Sequence, residues 1–578
     1  METLIFKLGK IIDFDFALKQ IKDNIALRFK NKGDDVVKRN ILSVDSCVNK
    51  YEQVKIPDVT YVPEMKGDLD TFEVIEQMEG NSLPVSKFLN SSDGSLEAGT
   101  SRREKRNISD TCPHYDPENC INCGLCSLVC PHAVVRPFLL DENEALDAPD
   151  TLDSKLMDAN IKDCNLKYTI GISYPDCTGC SLCSNICPGK KGKKALTMVD
   201  KDQITRDEYV NSNYLFNEVT EKRVMTTDTV KGSQFRTPKF EFSGACSGCG
   251  ETPYLKLLTQ LFGDNLVIAN ATGCSSIYGA SNPSSPYSVP WANSLFEDNA
   301  EFGYGMRIAD DALKNRIVTL INDNIDKVKK SEAKIYKAYA ADINIETADK
   351  LYNIVDNTKI DELKSLKSFI KPKSIWTVGG DGWAYDIGYN GIDHVLASHD
   401  NVNILVLDTE VYSNTGGQAS KSTRKGAVAK FAASGKNVAK KDLAKIALTY
   451  PHVYVGTISL GFNPQQAIKV LKEAEAYNGP SIVIAYSPCI AQGILKGMNN
   501  SIEEEKMATK VGYFPLFHFN PETSKFSLDS KADFTNYIEF LSGENRYRSL
   551  KNVNNDYKKL LEDKERKHDK SPPKSSQD

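Results

Sequence analysis

The sequence predicts an α/β protein with three parts. A doubly wound parallel sheet forms the largest domain, an α+β cysteine-rich domain is inserted ahead of it, and a small irregular linking subdomain precedes both. Three observations carry this. Short, wholly apolar runs at 266–269, 374–378, 403–407, 453–457 and 482–485 alternate with helical patterns, as parallel strands covered on both faces do. Thirteen of the 15 cysteines lie between Cys112 and Cys274, in tight repeated clusters. The 578 residues accommodate roughly three to five units at ~100–200 residues each.

Along the chain, residues 1–52 carry apolar positions at helical spacing (Phe16, Leu18, Ile21, Ile25, Val36) and read as the end of a truncated helical or α/β domain. Residues 53–108, with scattered Pro, Gly, Ser and Asn, form the linking subdomain. The cysteine-rich domain spans 109–205 and the sheet domain 206–550. In the latter, a helix over 253–262 closes at Gly263, and another over 464–477 has Pro464 in its first turn. Residues 551–578 are charged, end in Ser-Pro-Pro-Lys-Ser-Ser-Gln-Asp, and read as a disordered tail.

Lys plus Arg total 72 against 77 for Asp plus Glu, a net charge of −5 that gives no electrostatic reason to expect nucleic acid. No apolar run approaches ~18–20 residues, so no spanning helix is expected. Asp13 and Asp15 break the amino-terminal apolar pattern, which fits neither a secretory signal nor a transit peptide. The expected location is the cytoplasm or a reducing organelle matrix such as a hydrogenosome.

The cysteines carry the chemistry. Cys120, Cys123, Cys126 and Cys130 follow C-x2-C-x2-C-x3-C-P, and Cys177, Cys180, Cys183 and Cys187 repeat it. In two-cluster ferredoxins the fourth cysteine of each run serves the other [4Fe–4S] cluster. One cluster then takes Cys120, Cys123, Cys126 and Cys187, and the other Cys177, Cys180, Cys183 and Cys130. Zinc competes, but its sites close with four ligands and rarely show this doubled pattern. Cys112 and Cys164 fall outside the spacing and read as free thiols; His132 reads as a surface or packing residue. Cys246-Ser247-Gly248-Cys249 with Cys274 leaves a cubane one ligand short, and alone also fits a redox pair or half a zinc site. Cys489, at the end of an apolar strand, is a candidate fourth ligand.

Gly380-Asp381-Gly382 follows an apolar strand, where glycine amides approach phosphate oxygens and an aspartate can hold Mg2+. Thr409, 28 residues later, ends the next strand. This pattern fits thiamine diphosphate enzymes better than a dinucleotide turn, which needs G-x-G-x-x-G.

Long stretches then bring a resemblance. Glu104-Lys105-Arg106, the segments at 116–123 and 242–254, the Ala-Asn-Ala-Thr-Gly-Cys run at 269–274, and those at 291–306, 380–388 and 408–418 together resemble the carboxyl-terminal half of pyruvate:ferredoxin (flavodoxin) oxidoreductase. The resemblance implies that Cys246, Cys249, Cys274 and Cys489 ligate a third [4Fe–4S] cluster. It implies Mg2+ ligation by Asp381, Thr409 and the Val411 carbonyl. It implies thiamine diphosphate contacts at Glu251, Cys274, Gly380, Asp381, Gly382, Trp383, Thr409, Glu410, Val411, Tyr412, Ser413 and Asn414, with Asn414 close to the reacting carbon. The activity implied is oxidative decarboxylation of pyruvate with coenzyme A to acetyl-CoA and CO2, with ferredoxin or flavodoxin as acceptor and a homodimer as the common state. The amino-terminal half, with the substrate residues, is not in the sequence, so a fragment or split-gene product needing a separate amino-terminal-half chain is expected. Another 2-oxoacid:ferredoxin oxidoreductase and a non-catalytic iron–sulfur electron-transfer module are the alternatives.

Overall fold

The computed structural model describes residues 2–30, 33–51, 70–281 and 283–548, so the tail at 551–578 and residues 52–69 of the linking segment lie outside the described residues. Two compact units are present, Met1–Leu83 and Pro84–Asp578.

The described residues of the first unit contain the helices Glu2–Gly9, Phe14–Phe29, Asp34–Asn49 and Thr71–Glu76. Asp13 caps the second by accepting from the Phe16 amide at 2.9 Å, so the acidic residue that interrupts the apolar pattern starts a helix. Ile5, Leu8, Phe16, Leu27 and Leu42 are exposed.

The second unit opens on the rest of the linking segment, with short helical turns at Val85–Ser91 and Thr100–Arg102, and continues into the cysteine-rich domain. Strands β1 (Thr111–Tyr115) and β5 (Leu196–Asp200) pair antiparallel, and β2 (Val135–Leu140), β4 (Lys167–Ile172) and β3 (Met157–Asp158) form a second small sheet. Each cysteine run leads into a short helix, Leu125–Leu128 or Leu182–Ile186.

The eight-stranded sheet follows, built from β6 (Leu266–Ala271), β7 (Trp291–Ser294), β8 (Ser374–Gly380), β9 (Asn403–Asp408), β10 (Tyr454–Ile458), β11 (Ser481–Tyr486), β12 (Phe517–Asn520) and β13 (Lys525–Leu528), in the order 13-12-10-11-9-8-6-7. Strands β10, β11, β9, β8, β6 and β7 run parallel. Both faces are covered: Ile404 and Val406 enter one core with Trp383 and Ile484, while Leu405 and Leu407 enter another with Trp376 and Val483. That double burial is why these strands read as unbroken apolar runs. The parallel sheet expected from the sequence is extended at one edge by an antiparallel hairpin of β12 and β13. The helix ahead of β6 is Thr252–Phe262; Gly263 beyond it has φ −54°, so it is not a left-handed cap, and a Cβ there would run into the Thr259 carbonyl. Among the described residues no helix is long and apolar enough to cross a membrane.

Parallel strands deliver their carboxyl ends to one edge of a sheet. Here that edge gathers Cys274 after β6, Asp381 after β8, Thr409 after β9 and Cys489 after β11.

Candidate functional site

Three groups of four thiols assemble. Cys126 lies among Cys123, Cys120 and Cys187, and these four line one small cavity of about 20 Å3. Cys180 and Cys183 lie beside Cys130, as does Cys177. The fourth cysteine of each run thus crosses to the other group. Cys274 faces Cys489, Cys249 and Cys246, which places Cys489 with the incomplete trio.

The loops share a backbone device. The third position of the first C-x2-C in each run is left-handed: Asn122 (φ 55°), Gly179 (φ 65°) and Gly248 (φ 75°). This conformation turns amides toward sulfur. Asn122 N donates to Cys120 Sγ and Gly179 N to Cys177 Sγ, each at 3.4 Å. Val134 N on Cys130 and Ala195 N on Cys187 do the same at 3.3 Å. At the third group, Glu251 N reaches Cys249 Sγ and Ala491 N reaches Cys489 Sγ, both at 3.4 Å. Amide donors of this kind stabilise thiolates. Burial first, then neighbouring thiolates, pushes the Cys180 thiol up to about 12, so positive charge is needed to hold these groups ionised. Among the described residues no group of three or more His, Cys, Asp or Glu is close enough to hold one metal ion. Four thiols per group, several receiving backbone amide donors, are the donor set a [4Fe–4S] cluster takes.

The groups touch one another through their loops. Gly248 hydrogen-bonds Cys180, Ser247 Oγ donates to Thr178 O at 3.0 Å, and His132 is buried with Nε2 2.9 Å from Ala245 O and Nδ1 3.3 Å from Thr178 Oγ1. His132 is therefore a packing residue, not a surface one. Cys112 is buried against Cys177, with which it hydrogen-bonds, so it is no isolated thiol.

At the sheet edge, three oxygens converge. Thr409 Oγ1 donates to Asp381 Oδ1 at 2.9 Å and lies 3.0 Å from the Val411 carbonyl. A carboxylate, a hydroxyl and a carbonyl form a hard donor set of the kind Mg2+ takes. Asp381 is buried beside Asp408; burial first, then that second carboxylate, raises its pKa well above the usual range, leaving a site in need of a cation. Ser413 joins this corner to the third thiol group, with its Oγ 2.6 Å from Thr409 Oγ1 and hydrogen-bonded to Cys489. Gly250 N bonds Pro488 O at 3.1 Å, closing the loop of Cys246 and Cys249 onto the end of β11.

The other expected cofactor contacts are distributed unevenly. Glu251 is buried, accepts from Tyr278 OH at 2.8 Å, and is pushed up to about 7 by burial. Trp383 is fully buried with its Nε1 unsatisfied, and a Cβ on Gly382 would strike the Tyr412 ring. Asn414 is exposed on the turn where Gly417 N bonds Tyr412 O at 2.8 Å. Glu410 (φ 61°) aims its carboxylate away from the three oxygens, at Arg424 (2.9 Å), Lys440 (3.0 Å) and Arg546 (3.0 Å). Burial would raise Glu410, yet these cations hold it far below the usual range. Sequence reasoning missed this network because its cations lie 14 to 136 residues away, in no local pattern. Glu410→Ala is expected to cost about 3–5 kcal/mol of stability in denaturant unfolding, since the buried Arg546 and the half-buried Arg424 and Lys440 lose a partner.

Residues 113–136 match a 4Fe-4S binding domain, 365–485 the C-terminal thiamine pyrophosphate binding domain of thiamine pyrophosphate enzymes, and 70–109 the EKR domain of unknown function. The pyruvate:ferredoxin oxidoreductase of Moorella thermoacetica is 45% identical over 95% of the chain and 50% of its own length. The pyruvate-flavodoxin oxidoreductase of Trichormus variabilis is 40% identical over 97% of the chain and 50% of its own. This chain is a homologue of the pyruvate:ferredoxin (flavodoxin) oxidoreductases. It spans about half the length of the curated relatives it matches, in keeping with the carboxyl-terminal half of those oxidoreductases. The pyruvate dehydrogenase [NADP(+)] of Cryptosporidium parvum is 38% identical over 98% of the chain and 34% of its own length. Thiamine diphosphate and [4Fe–4S] clusters are the cofactors that these oxidoreductase domains bind. Among solved structures, a 2-oxoglutarate:ferredoxin oxidoreductase from Magnetococcus marinus matches with a TM-score of 0.29 at 17% identity, covering 43% of this chain and 65% of its own, a likeness too slight to argue from.

Proposed function

We propose that this chain is the cofactor-bearing half of an enzyme that oxidatively decarboxylates pyruvate with coenzyme A, giving acetyl-CoA and CO2 and passing electrons to ferredoxin or flavodoxin. The observation that carries this is the join at Ser413, where a hard oxygen set and a four-thiol set share one side chain. Thiamine diphosphate, when bound, supplies the nucleophilic carbon and electron sink for loss of CO2 from a 2-oxo acid.

The chain's own residues have the following roles. Asp381, Thr409 and the Val411 carbonyl hold Mg2+ against a diphosphate, and the glycines flanking Asp381 let backbone approach its oxygens. Glu251 and Trp383 wall the cofactor, and Asn414 stands toward the reacting carbon. Cys246, Cys249, Cys274 and Cys489 hold the iron–sulfur cluster at the sheet edge. The groups of Cys130, Cys177, Cys180 and Cys183, then of Cys120, Cys123, Cys126 and Cys187, continue outward from it. The loop contacts through Gly248, Ser247 and His132 support this series. Beside Cys187, Lys190, Lys191, Lys193 and Lys194 are exposed and present a basic face to an acidic ferredoxin.

Two measurements test the reading. Pyruvate, coenzyme A and viologen dye added to the isolated 578-residue chain are expected to give no reduction, and adding the amino-terminal half of a relative is expected to restore it. Turnover by the isolated chain would contradict the half-enzyme assignment, and a preference for other 2-oxo acids in the complemented enzyme would contradict the substrate. Replacing the four lysines by glutamate should slow ferredoxin association about tenfold or more at low salt, with the difference fading as salt rises; an unchanged rate would remove the docking role.

A further inference from the structure

One buried charge has no part in the chemistry above. Lys256, on the helix Thr252–Phe262 of the sheet domain, is fully buried. Its Nζ donates to the Ser127 carbonyl and, at 3.0 Å, to the Leu128 carbonyl of the cysteine-rich domain. Cys126 lies just before those carbonyls and Cys130 just after, and the two cysteines belong to different thiol groups. The charged groups facing the ammonium are Cys130, Cys126 and Arg136. Arg136 is occupied by Glu241, which also takes Arg102. No carboxylate among these answers Lys256.

An ammonium removed from water is costly unless an opposite charge lies nearby. Among the described residues, the anions facing it are the thiolates of Cys126, within the helix Leu125–Leu128, and of Cys130, just beyond it. We propose that Lys256 is the shared counter-charge of the two iron–sulfur centres flanking that helix and raises the reduction potential of both. This rests on the assignment of Cys126 and Cys130 as cluster ligands. A cluster with four thiolates is anionic and gains one further negative charge on accepting an electron. A fixed cation in the same low-dielectric interior therefore stabilises the reduced state more than the oxidised one. Lys256 touches no reacting atom, so it is a positioning residue that acts through the field and the two carbonyls. By bearing on both centres it keeps their potentials moving together.

The full chain, reconstituted anaerobically with iron and sulfide, tests this in a dithionite titration followed by electron paramagnetic resonance. Lys256→Gln keeps a donor for the carbonyls and removes the charge; Lys256→Arg keeps the charge. With iron and sulfide content unchanged, Lys256→Gln is expected to make reduction of both flanking centres about tenfold less favourable, a downward shift of about 59 mV for a one-electron couple, while Lys256→Arg stays within about threefold of the parent and a shift confined to one centre would refute the shared role. Unmoved potentials in a fully loaded Lys256→Gln protein would overturn the proposal. Iron loss in both variants would make Lys256 a strut across the domain junction and overturn it equally. A parent chain that takes up no iron would bring down the ligand assignment, and the proposal with it.

Discussion

Replacing Cys249 by alanine is expected to abolish ferredoxin reduction in the complemented enzyme while leaving thiamine diphosphate bound. Cys249 faces Cys489 and Cys274 in the thiol group nearest the Asp381 corner, and is not one of the three oxygen donors there. Loss of one ligand from a four-thiol set removes the cluster, so the variant should hold about four fewer iron atoms per chain. The two groups of the cysteine-rich domain keep their own ligands and should give unaltered spectra. Iron analysis, cofactor titration and dye reduction separate these effects. Turnover at the parent rate, with the iron missing, would show that electrons do not leave through this group.

Asp381→Asn should weaken Mg2+-dependent thiamine diphosphate binding on the order of 100-fold or more, which calorimetry reads directly. The same substitution should leave the cofactor-free protein as stable as the parent or more so. Asp381 is buried next to Asp408, and burial first and that carboxylate second make its charge costly. Asparagine keeps an acceptor for the Thr409 hydroxyl, found at 2.9 Å, without the charge. A higher melting temperature together with lost affinity identifies a site that trades stability for cation binding. A variant that binds Mg2+ and cofactor normally would exclude Asp381 as the metal ligand.

The parts legible in the sequence are those whose chemistry is local. The five apolar runs became β6, β8, β9, β10 and β11 because burial on both faces leaves little room for polar residues. Trp291–Ser294 escaped notice because an edge strand of Trp-Ala-Asn-Ser composition lacks that signal. The hairpin of β12 and β13 alternates polar and apolar residues on a sheet margin and was missed for the same reason. The doubled spacing indicated which cysteines group together, since the crossing of Cys130 and Cys187 follows from the three-residue gap. Cys489 was different: from spacing alone it stayed a candidate, and only the parallel order of β6 and β11 brings it to Cys274. Lys256 and the Glu410 network gave no signal, because a buried charge on an apolar helix face looks in sequence like any solvated lysine.

The donors at the sheet edge hang from the ends of four different strands, and most of the chain between those strands lies outside the sheet, β7 and β10 excepted. Insertions or deletions in the crossovers, including the long helical excursion of 299–370, leave the spacing of the donors untouched. A single residue added within β9 or β11 would instead rotate the following side chain to the opposite face and break the site outright. Length variation among related chains should therefore concentrate in the crossovers and spare the strands.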